Sequence, residues 1–184
     1  MTFQGHYQCE VLKELPQSEA IRHLYFPGAT TAGGADGVMI RVEPKSGSIW
    51  VGTFAYGTLT PGGLSGVFCM PDPNRLCVVA RGRGYIVPAA VPEACEDIAF
   101  HPIMDVRVVP KHGLVVFANH TELLAYDASG VRWRTKRLTW DGLKMTEVAD
   151  DVIRGEFWDI RSEQTSSFTV DIKTGSHQGG AEFT

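Results

Sequence analysis

The sequence predicts an all-β protein with little helix, built from duplicated antiparallel four-stranded units. From Val38 onward, apolar and polar residues alternate with a period of two, which is typical of half-buried strands. The chain's 20 glycines and 10 prolines are spread between these segments, where they suit the turns that join many short strands. A seven-residue segment also recurs in the same strand–turn–strand context, which indicates an internal duplication.

The first thirty residues favour two different structures. Tyr7, Cys9 and Val11 alternate with polar residues, and this pattern predicts a strand. Residues 18–25 instead suit one or two helical turns, with the first serine as the cap. The loop that follows, residues 27–37, is rich in small residues.

The first half of the chain then shows clear strand patterns. Val38, Ile40 and Val42 share one face of the first of these strands, which predicts that this face is buried. The segments PGG, PDPN and RGRG separate the later strands and supply good turn chemistry. The predicted strands of this half are residues 38–43, 48–55, 66–70, 75–80 and 84–87.

The second half repeats this pattern. Asp141-Gly142 is a strong tight-turn dipeptide, because glycine accepts the positive φ that such turns require. Phe168, Val170 and Ile172 give the last strand one buried face, and the tail from residue 175 is expected to be loose. The predicted strands of this half are residues 106–109, 114–118, 122–126, 131–135, 143–148, 152–157 and 168–172.

The internal duplication depends mainly on one segment. Residues 41–47 (RVEPKSG) and 107–113 (RVVPKHG) share five of seven residues at an offset of 66. Both copies precede an apolar strand, a context that chance does not readily supply. The sequence therefore predicts a single domain over residues 1–184, with internal repeats at approximately residues 38–100 and 104–175.

Three segments contain a similar turn, and two of them continue to a tryptophan. In residues 124–133, an Ala-x-Asp segment precedes a Ser-Gly turn and Trp133; residues 170–175 contain a similar turn, and residues 45–50 show a weaker version. These segments resemble the repeats of quinoprotein-like β-propellers, in which Ala-x-Asp precedes a Thr-Gly turn and a tryptophan. The resemblance concerns scaffold residues and implies blade-like sheets, not a quinone cofactor. The sequence is compatible with both a propeller-like ring and a β-sandwich. An arrangement that does not close into a ring leaves sheet edges unpaired, which favours burying them in a homodimer.

Charge and composition exclude several classes of partner. The formal net charge of −4 gives no general attraction to nucleic acid or to an anionic membrane. No segment approaches the roughly 18–20 continuous apolar residues that cross a bilayer, and the N-terminus does not resemble a secretory signal. We therefore expect a cytoplasmic protein with no nucleic-acid partner and no membrane partner.

The four cysteines, Cys9, Cys69, Cys77 and Cys95, show no CxxC spacing. In a reducing compartment they are expected to be small, buried, apolar residues. The alternative is a disulfide between Cys69 and Cys77, which flank a turn and would face each other across a hairpin.

Histidines and carboxylates supply the candidate metal ligands. None of the six histidines forms HxH, HxxxH or HExxH, the spacings that place two imidazoles on one face. His112 and His120 lie at the two ends of one predicted strand, and Asp141 lies at an expected hairpin turn, where aspartate is common for structural reasons. Solvated turn residues are therefore the favoured interpretation, and no metal or cofactor is expected.

Two basic segments offer further contact sites. Residues 132–140 interleave basic and aromatic side chains, with Arg132 and Arg134 on one face of the predicted strand and Trp133 on the other. Such a strip suits stacked bases, but the same alternation is that of a half-exposed strand. The ARGRGY segment, residues 80–85, presents amides and guanidinium groups to an anion or forms a plain hairpin turn.

The sequence contains no recognisable nucleophile motif. Strong scaffold signals without a catalytic constellation favour a non-catalytic binding or protein-interaction module, which holds a protein or small molecule through loops at one edge of its sheets. The alternative is a small-molecule hydrolase or metal-dependent enzyme with its site on the loops, assembled from His112, His120 and Asp141. The candidate contact residues are Arg132, Arg134, His112, His120 and Asp141.

Overall fold

Sixteen strands in four four-stranded sheets, with two short 3₁₀ turns, form the part of the chain that the computed structural model describes, residues 2–16 and 21–181. The all-β prediction is confirmed. The chain divides into two compact units: an N-terminal unit from Thr2 to Ile103, and a C-terminal unit that begins at Met104. Within the described ranges, no helix has the length and apolar composition needed to cross a bilayer.

The N-terminal unit holds two sheets. The first has the strand order β1-β3-β4-β2, and its β2 runs parallel to β4 while the other pairs are antiparallel. The second is an antiparallel meander with the order β5-β6-β7-β8. The strands are β1 (Tyr7–Leu12), β2 (Arg22–Phe26), β3 (Gly37–Pro44), β4 (Trp50–Ala55), β5 (Gly66–Cys69), β6 (Arg75–Ala80), β7 (Arg83–Pro88) and β8 (Glu96–Asp97), with a 3₁₀ turn at Pro92–Ala94.

These two sheets share one apolar core. Phe26 of β2 stacks on Phe54 of β4 with ring centroids 4.4 Å apart, and Tyr85 of β7 meets Phe54 edge-on at 5.2 Å. The buried Tyr85 hydroxyl donates a hydrogen bond to the Ala55 carbonyl at 2.8 Å, which satisfies its polar end. Because successive side chains of a strand alternate in direction, the residues between these core positions point to the other face of the first sheet.

The C-terminal unit also holds two sheets, and all their strand pairs are antiparallel between neighbours in sequence. Their inner faces share a second apolar core. The strands are β9 (Asp105–Val109), β10 (Leu114–Ala118), β11 (Leu123–Asp127), β12 (Gly130–Arg134), β13 (Lys144–Ala149), β14 (Val152–Asp159), β15 (Gln164–Asp171) and β16 (His177–Gly179), with a 3₁₀ turn at Pro110–His112.

Trp50 and Trp133 play the same part in their own units. Each follows a Ser-Gly turn whose glycine has a positive φ, 115° at Gly47 and 130° at Gly130. Each donates an indole hydrogen bond to a backbone carbonyl 39 residues further along the chain, Trp50 at 2.8 Å and Trp133 at 2.7 Å. The Ser-Gly-x-x-Trp segments therefore join the two sheets of each unit.

The aspartates of the predicted turns bond to those turns. Asp127 Oδ1 accepts hydrogen bonds from the Ser129 amide at 2.7 Å and hydroxyl at 2.6 Å. Asp171 Oδ1 accepts bonds from the Thr174 amide at 2.8 Å and hydroxyl at 2.7 Å. These bonds stabilise the carboxylate form and hold the pKa of both aspartates below its ordinary value.

The structure corrects two expectations and confirms the strand at β1. Helical turns over residues 18–25 are wrong for Arg22–Phe26, which form β2 and satisfy their backbone groups on β4; residues 17–20 lie outside the described ranges. The loose tail is wrong for His177–Gly179, which pair with β15 as β16. These three residues are exposed, so they carry no alternation that would reveal a strand.

The cysteines are free thiols. In the β5–β6 ladder, Cys77 lies opposite Phe68, and Cys69 lies opposite Leu76. Neighbouring residues of a strand point to opposite faces, so the Cys69 and Cys77 side chains lie on opposite faces of the sheet. The alternative of a disulfide across this hairpin is therefore wrong.

Candidate ligand-binding site

The His112 side chain contacts a neighbouring turn. Its Nε2 lies 2.8 Å from the Asp150 carbonyl oxygen and 3.2 Å from Asp151 Oδ1, and its side chain is only 9% exposed. The imidazole therefore links the 3₁₀ turn at Pro110–His112 to the β13–β14 turn, and most of its polar surface is already in use.

His120 and Asp141 are brought together, as the hydrolase hypothesis requires. His120 Nδ1 lies 3.1 Å from Asp141 Oδ1, with side chains 44% and 80% exposed. A zinc or similar ion takes at least three protein ligands, and no group of three histidine, cysteine or acidic residues is placed for one in the described ranges. By geometry the pair is a solvent-exposed contact beside the turn.

Arg132 and Arg134 lie on the exposed face of β12, while Trp133 and Thr135 are buried on the other. The alternation predicted for this strip is confirmed. Arg134 Nε donates to Glu122 Oε2 at 2.6 Å, so its charge is partly compensated. Because Trp133 belongs to the core, its ring is not available to stack on a base.

The buried thiols are poor nucleophiles. Burial raises the pKa of Cys9 and of Cys95 to about 12, and it raises the pKa of the fully buried Cys77 as well. The thiolate is the reactive form, so these side chains stay protonated and unreactive at neutral pH.

Two cavities of the N-terminal unit lie elsewhere. A cavity of about 440 Å³, called here the first cavity, lies on the face of the first sheet that points away from the core. His23 and Tyr25 of β2, Met39 of β3 and Thr53 of β4 line it. Thr53 is paired with both Tyr25 and Met39, so the ladder sets these side chains in one row. Asp36 and Tyr56 complete the wall.

The polar groups of the first cavity are positioned by short contacts. His23 Nε2 lies 2.8 Å from Thr53 Oγ1, and the His23 and Tyr25 ring centroids are 4.3 Å apart. Burial lowers the pKa of His23, because a charged imidazole loses hydration there. The histidine is therefore neutral at pH 7, and the Asp36 carboxylate carries the charge of this wall.

We expect the imidazole of His23 to titrate below its ordinary pKa of about 6.5. Since the folded state binds this proton less readily than the unfolded state, the N-terminal unit should lose stability as pH falls through 6.5 towards the lowered value. Imidazole chemical shifts followed by NMR measure the midpoint, with the His23→Gln variant assigning the signal. A midpoint at or above 6.5 contradicts the burial argument.

A second cavity of about 360 Å³ lies beside the β6–β7 hairpin. Gly82, Arg83, His101 and Thr58 line it, and Tyr56 lines both this cavity and the first. The Tyr56 amide donates to the Asp36 carbonyl at 3.1 Å, and the next residue, Gly57, bonds to β6. The shared tyrosine is therefore fixed between the β3–β4 ladder and the hairpin.

The β6–β7 hairpin presents its two arginines differently. Arg83 donates from Nε to Asp97 at 3.1 Å and also from Nη2, and this bonding raises the pKa of Arg83. Arg81 has a positive φ of 45° in the turn, and its guanidinium carbon lies 3.7 Å from the Tyr56 ring centroid. Within the described ranges, Arg81 makes no ion pair with a carboxylate. Arg81 is therefore the remaining candidate for binding an anion in the ARGRGY segment.

The sequence analysis did not identify His23, Tyr25 or Tyr56. His23 and Tyr25 face the cavity only because β2 pairs with a strand that lies far along the chain. The one available signal was the alternation of Leu24 and Phe26 with these two residues, and it fell in a segment that also suited a helix.

No family model, curated protein or solved structure matches the chain. The functional conclusion therefore depends on the geometry of the two cavities around Tyr56.

Proposed function

We propose that the N-terminal unit is a non-catalytic binding module whose ligand is a small organic molecule held in the two cavities around Tyr56. The observation that carries this proposal is the shared wall: cavities of about 440 and 360 Å³ both use the Tyr56 ring. Each volume is within the range of roughly 300–1,000 Å³ that is usual for small-molecule sites.

The chemistry of the walls supports a binding role. Tyr25, Tyr56 and the neutral His23 ring supply flat surfaces for an apolar part of the ligand. Thr53 and Asp36 add a small number of polar groups, which is the usual composition of a site that orients its ligand. The contacts of His112 and the burial of the thiols support a binding role over a catalytic one.

The proposal includes a relation between the sheets and quinoprotein-like β-propeller repeats. Two Ser-Gly-x-x-Trp segments with matching indole hydrogen bonds and two self-bonded aspartate turns support it. The relation concerns the scaffold and adds no quinone to the ligand site.

The Tyr56→Ala variant should bind its ligand at least roughly tenfold more weakly, because the cavities lose their common wall; tenfold corresponds to about 1.4 kcal/mol. Tyr56→Phe keeps the ring and should stay within about threefold of the natural protein. A library of uncharged and charged small-molecule fragments is screened by amide chemical-shift changes in the full chain. Trp158→Ala, which removes a 56% exposed ring of the C-terminal unit, is the matched control.

Two results would overturn the proposal. The first is a screen in which the shift changes lie outside the residues around Tyr56, or in which Tyr56→Ala binds as tightly as the natural protein. The second is turnover of a bound fragment that the near-isosteric Thr53→Val variant abolishes. That second result favours a hydrolase whose site differs from the predicted His112, His120 and Asp141, with Thr53 Oγ1 as nucleophile and His23 Nε2, 2.8 Å away, as base.

A further inference from the structure

Two side chains of opposite charge, Asp36 and Arg81, are neighbours of Tyr56, which lines both cavities. In the first cavity, Asp36 is the charged lining residue, since His23 is neutral and no lysine or arginine is among the described lining residues. In the second cavity, the charge of the lining residue Arg83 is compensated by Asp97. Arg81 is not among the described lining residues of either cavity, but its guanidinium stacks on the Tyr56 ring that both cavities share. A carboxylate and a guanidinium are thus presented around one tyrosine ring.

The backbone fixes how near these charges are. The Tyr56 amide bonds to the Asp36 carbonyl, so the two residues extend the β3–β4 ladder by one pair. Opposite residues of such a ladder have Cβ atoms about 5 Å apart. The Arg81 guanidinium carbon is 3.7 Å from the Tyr56 centroid. Tyr56 is therefore an immediate neighbour of both charged residues.

Hydrogen bonds hold the backbone of Arg81 in place, unlike that of an arginine in a solvated loop. Its amide donates to Ser65 Oγ at 3.0 Å, and its carbonyl accepts from the Leu59 amide at 3.4 Å. The next residue, Gly82, bonds to the Leu64 carbonyl at 3.1 Å and accepts from the Ile103 amide at 2.7 Å. The turn and the stack on Tyr56 fix the guanidinium before any ligand arrives, so less conformational entropy is lost on binding.

Resting on the proposed function, we propose that the ligand is a short zwitterionic peptide or a molecule of that charge pattern. Its ammonium group lies against Asp36 in the first cavity, and its carboxylate lies beside Arg81 at the Tyr56 ring. A dipeptide spans roughly 7 Å at about 3.3–3.6 Å per residue, so its two ends can contact two different neighbours of one tyrosine. The Tyr25 and Tyr56 rings contact the part between the charges.

Four probes of equal length separate the contributions of the two charges. They are L-alanyl-L-alanine, its N-acetyl form, its C-terminal amide, and the doubly blocked N-acetyl amide. We expect the zwitterion to bind at least roughly tenfold more tightly than the doubly blocked form, because hydrogen bonds to charged groups are stronger than those between neutral groups. The singly charged probes should lie between them. Calorimetry and amide chemical shifts of the full chain measure these affinities.

Two charge variants assign the ends of the ligand. Asp36→Asn should weaken the probes that carry an ammonium group by roughly tenfold and leave the N-acetyl probes within about threefold. Arg81→Gln should do the reverse, weakening only the probes with a free carboxylate. Glu163→Gln and Lys136→Gln make the same charge changes at exposed positions of the C-terminal unit and are the controls. Unchanged thermal midpoints confirm that the variants fold.

The possible outcomes distinguish the zwitterionic ligand from the proposed binding site at Tyr56. Equal affinity for the four probes, or variants that weaken every probe alike, overturns the zwitterion and leaves the binding site at Tyr56 in place. The same holds if none of the four binds while an uncharged fragment perturbs Tyr56. If neither the peptides nor any fragment perturbs the residues around Tyr56, both conclusions fail together.

Discussion

Replacing Trp133 with alanine should lower the free energy of unfolding of the C-terminal unit by about 3–5 kcal/mol. The ring is 8% exposed and belongs to the core shared by the two sheets of that unit. It packs so closely on Gly175 that a Cβ at this glycine would lie 2.8 Å from Trp133 Cδ2. Its removal leaves a large cavity and leaves the Ile172 carbonyl without the indole donor at 2.7 Å.

Amide hydrogen exchange in β10 and β11 measures this loss in the C-terminal unit itself, since these strands are buried in the same core. Trp133→Phe keeps most of the apolar ring but removes the donor, so it should cost about 1–3 kcal/mol. Trp158→Ala, at a side chain 56% exposed, should stay within about 0.5 kcal/mol of the natural protein. A loss below about 1 kcal/mol for Trp133→Ala would place this ring outside the core.

Replacing Gly37 with alanine should destabilise the N-terminal unit by about 2–3 kcal/mol. An added Cβ would lie 1.9 Å from the Phe54 carbonyl oxygen and 2.3 Å from its carbonyl carbon. Both atoms belong to the backbone of β4, which is buried along its whole length and paired on both sides. The start of β3 must therefore move away from β4, and the wall of the first cavity moves with it because Gly37 lines that cavity.

Gly62→Ala is the matched control for this clash, since no atom lies within 4 Å of an added Cβ there. It should change stability by less than about 0.5 kcal/mol, and a slight gain is allowed because alanine restricts the unfolded chain. Chemical denaturation followed by circular dichroism compares the two variants. Equal stabilities would show that β3 and β4 are spaced more widely than this packing requires.

The strands were the most predictable part of the molecule. β6 and β10 have the predicted bounds, because each is a short apolar run with turn-forming residues at its two ends. β3 was visible from its alternation, since one face packs in the core and the other is half exposed. β16 was not visible, because a short, exposed edge strand takes its structure from its partner and carries no pattern of its own.

The site was less predictable than the scaffold. The enzyme alternative grouped His112, His120 and Asp141, and the structure places His120 Nδ1 3.1 Å from Asp141 Oδ1. His112 instead contacts Asp150 and Asp151. The two cavities depend on the parallel pairing of β2 with β4 and on the contact of Arg81 with Tyr56, which join segments remote in sequence. A local pattern describes which face of a strand is apolar, but it does not say which distant strand will lie beside it.

The place of β2 in the first sheet sets an order of assembly. β2 precedes β3 and β4 in the chain, yet the ladder it forms is with β4, so it has no strand to join until the β3–β4 hairpin exists. Long-range pairing of this kind costs closure entropy before it gains contacts. We therefore expect His23 and Tyr25 to reach their places late in folding and this edge to open before the rest of the sheet. A molecule held against them selects the closed sheet and, by mass action, raises the free energy of unfolding of the unit.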